Sequence, residues 1–198
     1  MQRIVTVGSI NADSYLRIAR LPRPGETLAG RDPALRPGGK GANQAACVAR
    51  LGVASRFVGQ VGDDGAGAML RDALVEAGVE VDRLATVAGP SGQALILLQD
   101  DGENSIILVG GANQAWAGFP ETCLDGAAAV LLQREIPEAI NLAAVQAAQA
   151  RDIPVILDVG GAEGGLPDAL LAGISVLSPN ETELARLTGL PTETEEQI

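Results

Sequence analysis

The sequence predicts an α/β fold built on a parallel central sheet. Three observations carry that reading: short β-branched apolar runs, amphipathic stretches between them that close on glycine, and connections too long for hairpins. Arg3-Ile4-Val5-Thr6-Val7 reads as a buried strand ending at Gly8. Residues 12–37 mix short apolar pieces with Pro22, Pro24, Gly25, Gly30, Pro33 and Pro37, which suits turns and edge strands of a small accessory layer. Residues 42–51 form a predicted helix closed by Gly52, residues 56–59 a strand, and residues 66–77 a second helix closed by Gly78. From Val81 the period becomes two, and residues 94–99 and 105–109 around Asp100-Asp101-Gly102 read as a hairpin of the same accessory layer. After Gly110 come a strand at 128–133, a helix at 137–151, a strand at 154–159, a short helix at 167–172 and a strand at 174–178. Thr192-x-x-Glu195 after Pro191 signals a further helix cut short at Ile198, so the chain is expected to be a truncated domain.

Composition excludes several chemistries. With 14 Lys and Arg against 25 Asp and Glu, the formal charge of −11 argues against a general affinity for nucleic acid or anionic lipid. The sequence has no His, which removes Ser-His-Asp triads, Cys-His pairs and His-containing metal sites. Cys47 and Cys123 are too far apart for a Cys-x-x-Cys motif, and a reducing, cytoplasmic compartment is expected. The longest apolar run, residues 127–132, falls far short of the roughly 20 residues of a membrane span.

The sharpest motif is Gly38-Gly39-Lys40-Gly41-Ala42-Asn43-Gln44-Ala45. Ala34 and Gly41 stand where a P-loop needs Gly and Ser or Thr, so it is not one. Small residues entering a helix let backbone N–H groups approach a polar or anionic ligand, with Asn43 in the first turn; a plain Gly-rich turn with Lys40 solvated is the alternative. Asn11 and Asp13 follow the first strand, where open α/β sheets bind ligands; they suit a neutral polyol, and alone they read more readily as ordinary loop residues. Glu135 follows the strand at 128–133 and either reaches the same sheet edge or caps the helix at 137–151. At Ser178-Pro179-Asn180-Glu181-Thr182-Glu183, Ser178 reads as a helix cap and Glu181 as its capping-box partner. Asn180 and Glu183, three apart, are then free to hold a hydrated magnesium ion or to be a polar helix start. Gly62-Asp63-Asp64-Gly65 reads as a turn with acidic caps, and Gly110-Gly111-Ala112-Asn113 as a turn that either approaches substrate or only reverses the chain.

Taken in order with Pro24-Gly25-Glu26-Thr27, these motifs resemble the ribokinase branch of the PfkB carbohydrate kinase family from Ile4 to Ile198. The resemblance implies a three-layer sandwich with a parallel sheet, incomplete here, and a small β lid over about 12–37 and 81–109 that covers the sugar and forms a homodimer contact. It implies transfer of the terminal phosphoryl of ATP to the 5-hydroxyl of D-ribose. Asn11, Asp13, Gly39, Lys40, Asn43 and Glu135 would contact the sugar. Asn180 and Glu183 would organise Mg2+ and phosphate, Glu183 as the metal residue. A monovalent cation (K+) is expected of the complete family member.

Asp158-Val159-Gly160-Gly161 stands where bacterial members carry Asn-Pro and looks closer to plant-type members, so a plastid location is also compatible. The family's Asp-Thr-x-Gly-Ala-Gly-Asp segment, holding the general base and anion hole, does not occur in these 198 residues, and the chain is expected to be inactive alone. A non-catalytic sugar-binding or dimerising short form, or a kinase for another sugar or a nucleoside, are the alternatives.

Overall fold

The computed structural model describes residues 2–162 and 164–194. Its strands are β1 (Arg3–Val7), β2 (Asn11–Ile18), β3 (Arg31–Gly38), β4 (Ser55–Gly62), β5 (Glu80–Val87), β6 (Gly92–Gln99), β7 (Asn104–Val109), β8 (Ala127–Leu132), β9 (Val155–Asp158) and β10 (Val176–Ser178). The helices are α1 (Lys40–Arg50), α2 (Gly65–Glu76), α3 (Glu138–Gln149), α4 (Asp168–Leu171) and α5 (Glu181–Thr188). Six strands form a parallel sheet in the order β10-β9-β8-β1-β4-β5, and four form a smaller mixed sheet, β3-β2-β6-β7. From β1 the chain builds the sheet outward in both directions, which makes the crevice at the C-terminal ends of β1 and β8 the switch point where open α/β sheets hold ligands.

Strand alternation sorts the core into two layers. Val5, Val7, Val58, Val130, Leu132, Val155 and Leu157 point to the face covered by α3 and Leu170 of α4. Phe57 and Val61 point the other way, into Ala42 and Ala45 of α1 and Leu70 and Leu74 of α2. Among the described residues no helix is long and apolar enough to cross a membrane.

The accessory layer predicted over 12–37 and 81–109 needs one correction. β5 pairs parallel with β4 in the large sheet, so the small sheet takes only 11–18, 31–38 and 92–109 from those regions. β5 lies at the edge of the large sheet and buries Leu84 alone among its residues, so its pattern does not tell the two sheets apart. The helix signalled at Thr192-x-x-Glu195 lies largely outside the described residues, and the Thr192 hydroxyl donates to the Glu181 carbonyl at 2.7 Å.

The two sheets are latched at Asp64. Its carboxylate caps α2 through the Gly67 N–H at 2.8 Å, and accepts from the Ser91 N–H at 2.9 Å and the Ser91 hydroxyl at 2.6 Å, just before β6 begins. The Ser91 hydroxyl and these amides hold the carboxyl below its usual range. An acid depressed in the fold stabilises it above its unfolded pKa and loses that contribution as pH falls through the folded value. Asp64→Ala should therefore cost about 1–2 kcal/mol at pH 7, as loss of a helix cap does, with the difference from the parent narrowing in strong acid. Urea denaturation at pH 7 and pH 3 measures both.

Candidate functional site

The site forms where the ends of β1 and β8 meet the start of α1. Gly39 precedes α1 at φ 90°, and a Cβ there would stand 2.8 Å from the Ile10 Cα, so only glycine lets the helix start this close to the strand end. The first N–H groups of α1 are then consumed within the protein. The Lys40 N–H donates to Glu135 Oε2 at 3.0 Å, the Gly41 N–H to the Ser9 hydroxyl at 3.4 Å, and the Ala42 N–H to the Ser9 carbonyl at 2.9 Å. The expectation that these amides face a ligand is thereby corrected: the helix start is filled by Glu135 and Ser9. Glu135 reaches the sheet edge, and of the two helices it caps α1, 95 residues away in sequence, rather than the adjacent α3.

Asn11 and Asn113 form a second unit. The Ile10 N–H donates to Asn113 Oδ1 at 3.0 Å, and Asn113 Nδ2 donates to the Ile10 carbonyl at 3.1 Å and to Asn11 Oδ1 at 2.7 Å. This staple fixes the backbone at 10–11 and leaves the Asn11 amide nitrogen as a donor toward a cavity of about 290 Å³, lined also by Gln93, Arg134, Glu135 and Gly161. Of the two readings of the turn ending at Asn113, it shapes the site and also borders the cavity.

Asp13 lies on the same face of the small sheet as Asn11, packed against Gly38, where a Cβ would come within 2.0 Å of its Oδ2. Its Oδ1 is buried without a hydrogen-bond partner. Burial and, second, the negative charge of Glu135 push its carboxyl up to about 6. Asn43 is exposed and lines a different hollow, an apolar one of about 460 Å³ with Ile10, Gly38, Ala46, Leu70 and Leu74. Gly38, which faces Asp13, also lines this hollow.

Beyond the cavity, Asp158 accepts from the Gly160 N–H at 2.8 Å and from Gln44 Nε2 at 3.2 Å, and Gln44 accepts from the buried Gln133 at 2.7 Å. The turn that follows makes room for two charged side chains. A Cβ on Gly160 would stand 3.0 Å from Lys40 Nζ, and one on Gly161, at φ 113°, would stand 2.5 Å from Glu135 Cγ. Ser9, Gln133 and Arg134 were absent from the predicted site. Ser9 stands between the first strand and Asn11, next to the predicted residues, whereas Gln133 and Arg134 carry no signal beyond their position at a strand end.

At α5 the capping box is Asn180 with Glu183, not Ser178 with Glu181. Asn180 Oδ1 accepts from the Glu183 N–H at 2.8 Å and Glu183 Oε2 from the Asn180 N–H at 2.9 Å. Each residue thus commits one oxygen to its neighbour's backbone, and among the described residues no group of three His, Cys, Asp or Glu side chains could hold a metal ion. The pair fits a hydrated ion met through water.

A raised acid opposes folding once it ionises. Asp13 carries no penalty below its unfolded pKa near 3.8 and the full penalty above about 6. Asp13→Asn should match the parent at pH 4 and exceed it above pH 6, by on the order of 1 kcal/mol because solvent screens this half-buried site. Chemical denaturation from pH 4 to 7 tests the divergence; parallel curves would refute it.

The pfkB family carbohydrate kinase model matches residues 1–198. The ribokinase of Arabidopsis thaliana is 50% identical over 206 residues, covering 98% of this chain and 54% of that protein. The ribokinase of Haemophilus influenzae is 36% identical over 197 residues, covering 96% and 64% respectively. The solved structure of Arabidopsis thaliana ribokinase complexed with ribose and ATP matches with a TM-score of 0.93 at 48% identity, covering 100% of this chain and 66% of that one. The chain spans between half and two thirds of the length of these relatives. Because the match runs through both sheets and every residue of the site, the chain belongs to the PfkB family of carbohydrate kinases.

Proposed function

We propose that these residues form the sugar-holding part of an ATP-dependent ribose kinase. The observation that carries the reading is the pairing of Asp13 and Glu135: two carboxylates near one another, one with a buried oxygen lacking any partner, beside a neutral amide donor on Asn11. Vicinal hydroxyls of a pentose supply the donors that such oxygens lack, and carry no charge to upset the balance. The relative solved with ribose and ATP supports the same substrates here.

In the reaction the bond from the γ-phosphorus to the ADP oxygen breaks, a bond to the 5-oxygen of the sugar forms, and the hydroxyl proton passes to a general base, which the family carries in its Asp-Thr-x-Gly-Ala-Gly-Asp segment. The residues present contribute orientation: Asp13 and Glu135 accept from sugar hydroxyls, Asn11 donates, and Gly39 keeps the approach open. Lys40, beside Gly160, would reach the sugar from the α1 side. Mg2+ would neutralise nucleotide phosphates, with Asn180 and Glu183 meeting its waters.

The small sheet supports the reading of a lid shared with a second copy. Leu35, Leu95 and Ile107 lie in one row across it, in register with Ser14 on β2, and are 59%, 39% and 55% exposed. Such a row on one face of a thin sheet is stabilised by a second apolar surface. Ile107→Asp is expected to convert a dimer to a monomer by analytical ultracentrifugation, while a monomeric parent would overturn the lid contact.

The 198 residues are expected to bind D-ribose, with Asp13→Ala weakening affinity roughly 10- to 100-fold, as for lost hydrogen bonds to a charged group. They are expected to show no turnover. A missing general base costs ~10²–10⁴ in rate and missing anion-hole donors a further ~10²–10³. Calorimetry and a coupled ADP-release assay decide both; ribose-dependent ADP release from the chain alone would refute the second expectation.

A further inference from the structure

We infer that Ser9 is a positioning residue for Glu135: it holds one carboxylate oxygen on the start of α1 and so presents the other to the sugar. The inference rests on the sugar-site reading and adds a residue to it.

Ser9 is fully buried and cannot itself touch a ligand in the cavity. Its hydroxyl accepts from the Gly41 N–H at 3.4 Å, which directs its own hydrogen away from α1 and toward Glu135 Oε2, 2.5 Å off. The same Oε2 accepts from the Lys40 N–H at 3.0 Å. Two donors converge on one oxygen, and Gly161, where a Cβ would stand 2.5 Å from Glu135 Cγ, gives the side chain the room to reach them. Glu135 Oε1 has no hydrogen-bond partner among the described residues, and Glu135 borders the 290 Å³ cavity. A carboxylate fixed through one oxygen has its second oxygen fixed in direction as well, which is the preorganisation a weak neutral ligand needs. Without the hydroxyl, Glu135 keeps a single backbone donor and can rotate away from both the cavity and Asp13.

The test uses the 198-residue chain, D-ribose as the probe, and one readout that needs no sugar. Ser9→Ala is expected to weaken ribose binding about 10-fold in calorimetry. It is also expected to lower the titration midpoint of the Asp13 carboxyl, followed by carbon-13 NMR, below about 6 by the part owed to the Glu135 charge, with burial still holding it above the ordinary carboxylate value. In a Glu135→Asp background, where the shortened side chain has already left Ser9, adding Ser9→Ala should change affinity less than twofold. If Ser9→Ala does not fold, Ser9→Cys, a far weaker donor of similar shape, is read in the same two ways. Parent-like ribose affinity or an unmoved Asp13 midpoint in the folded variant overturns the inference. A parent chain that binds no ribose overturns the sugar reading instead, and the Asp13 midpoint alone then decides the role of Ser9.

Discussion

The carboxylate of Glu135 on the first N–H of α1 is the interaction on which the site depends. A helix starts with N–H groups that have no partner within it, and α1 starts against the sheet edge, where water has little access. One carboxylate supplied from the end of β8 satisfies the Lys40 amide and meets the positive end of the helix dipole, an arrangement worth about 1 kcal/mol and up to ~2 when partly buried. The same contact joins three pieces of chain: the loop after β1 through Ser9, the start of α1, and the loop after β8. Those are the pieces that the switch in strand order brings side by side.

That arrangement leaves an imbalance. The dipole of α1 and two donors compensate Glu135, whereas Asp13 sits within its field with an unpartnered oxygen. Asp13 therefore carries the cost of its own burial first and of the Glu135 charge second. A protein selected for stability alone would place an amide or an apolar residue at position 13; an acid kept there at a cost is what the proposed sugar-holding role of Asp13 would require.

The sequence made most elements legible because their signals are local. Gly52 and Gly78 end their helices at φ 81° and 85°, and Gly102 turns the β6–β7 hairpin at φ 94°, as their positions suggested. Three features were not legible, each for a physical reason. The membership of β5 depends on which sheet offers a free edge, and a one-sided strand reads alike in both. The capping box at α5 sits two residues later than expected. Pro179 suits an extended residue before the cap as well as the first helical turn, and Asn180 outcompetes Ser178 by reaching the Glu183 amide. The capping of α1 by Glu135 joins residues 95 apart, and no spacing rule reaches that far.

Where the site residues lie on the small sheet bears on how the site is kept. Asn11 begins β2, Gly38 ends β3, Gly92 begins β6, and Val109 ends β7 just before the Gly110 to Asn113 turn, so all four strands meet the large sheet at the same end. That end is pinned twice, by Asp64 on Ser91 and by Asn113 on Ile10 and Asn11. The distal ends carry exposed pairs such as Arg20 with Glu26, which hold little energy in water. The polar groups that would read a sugar stand at the base, where their geometry is least disturbed by whatever covers or uncovers the cavity.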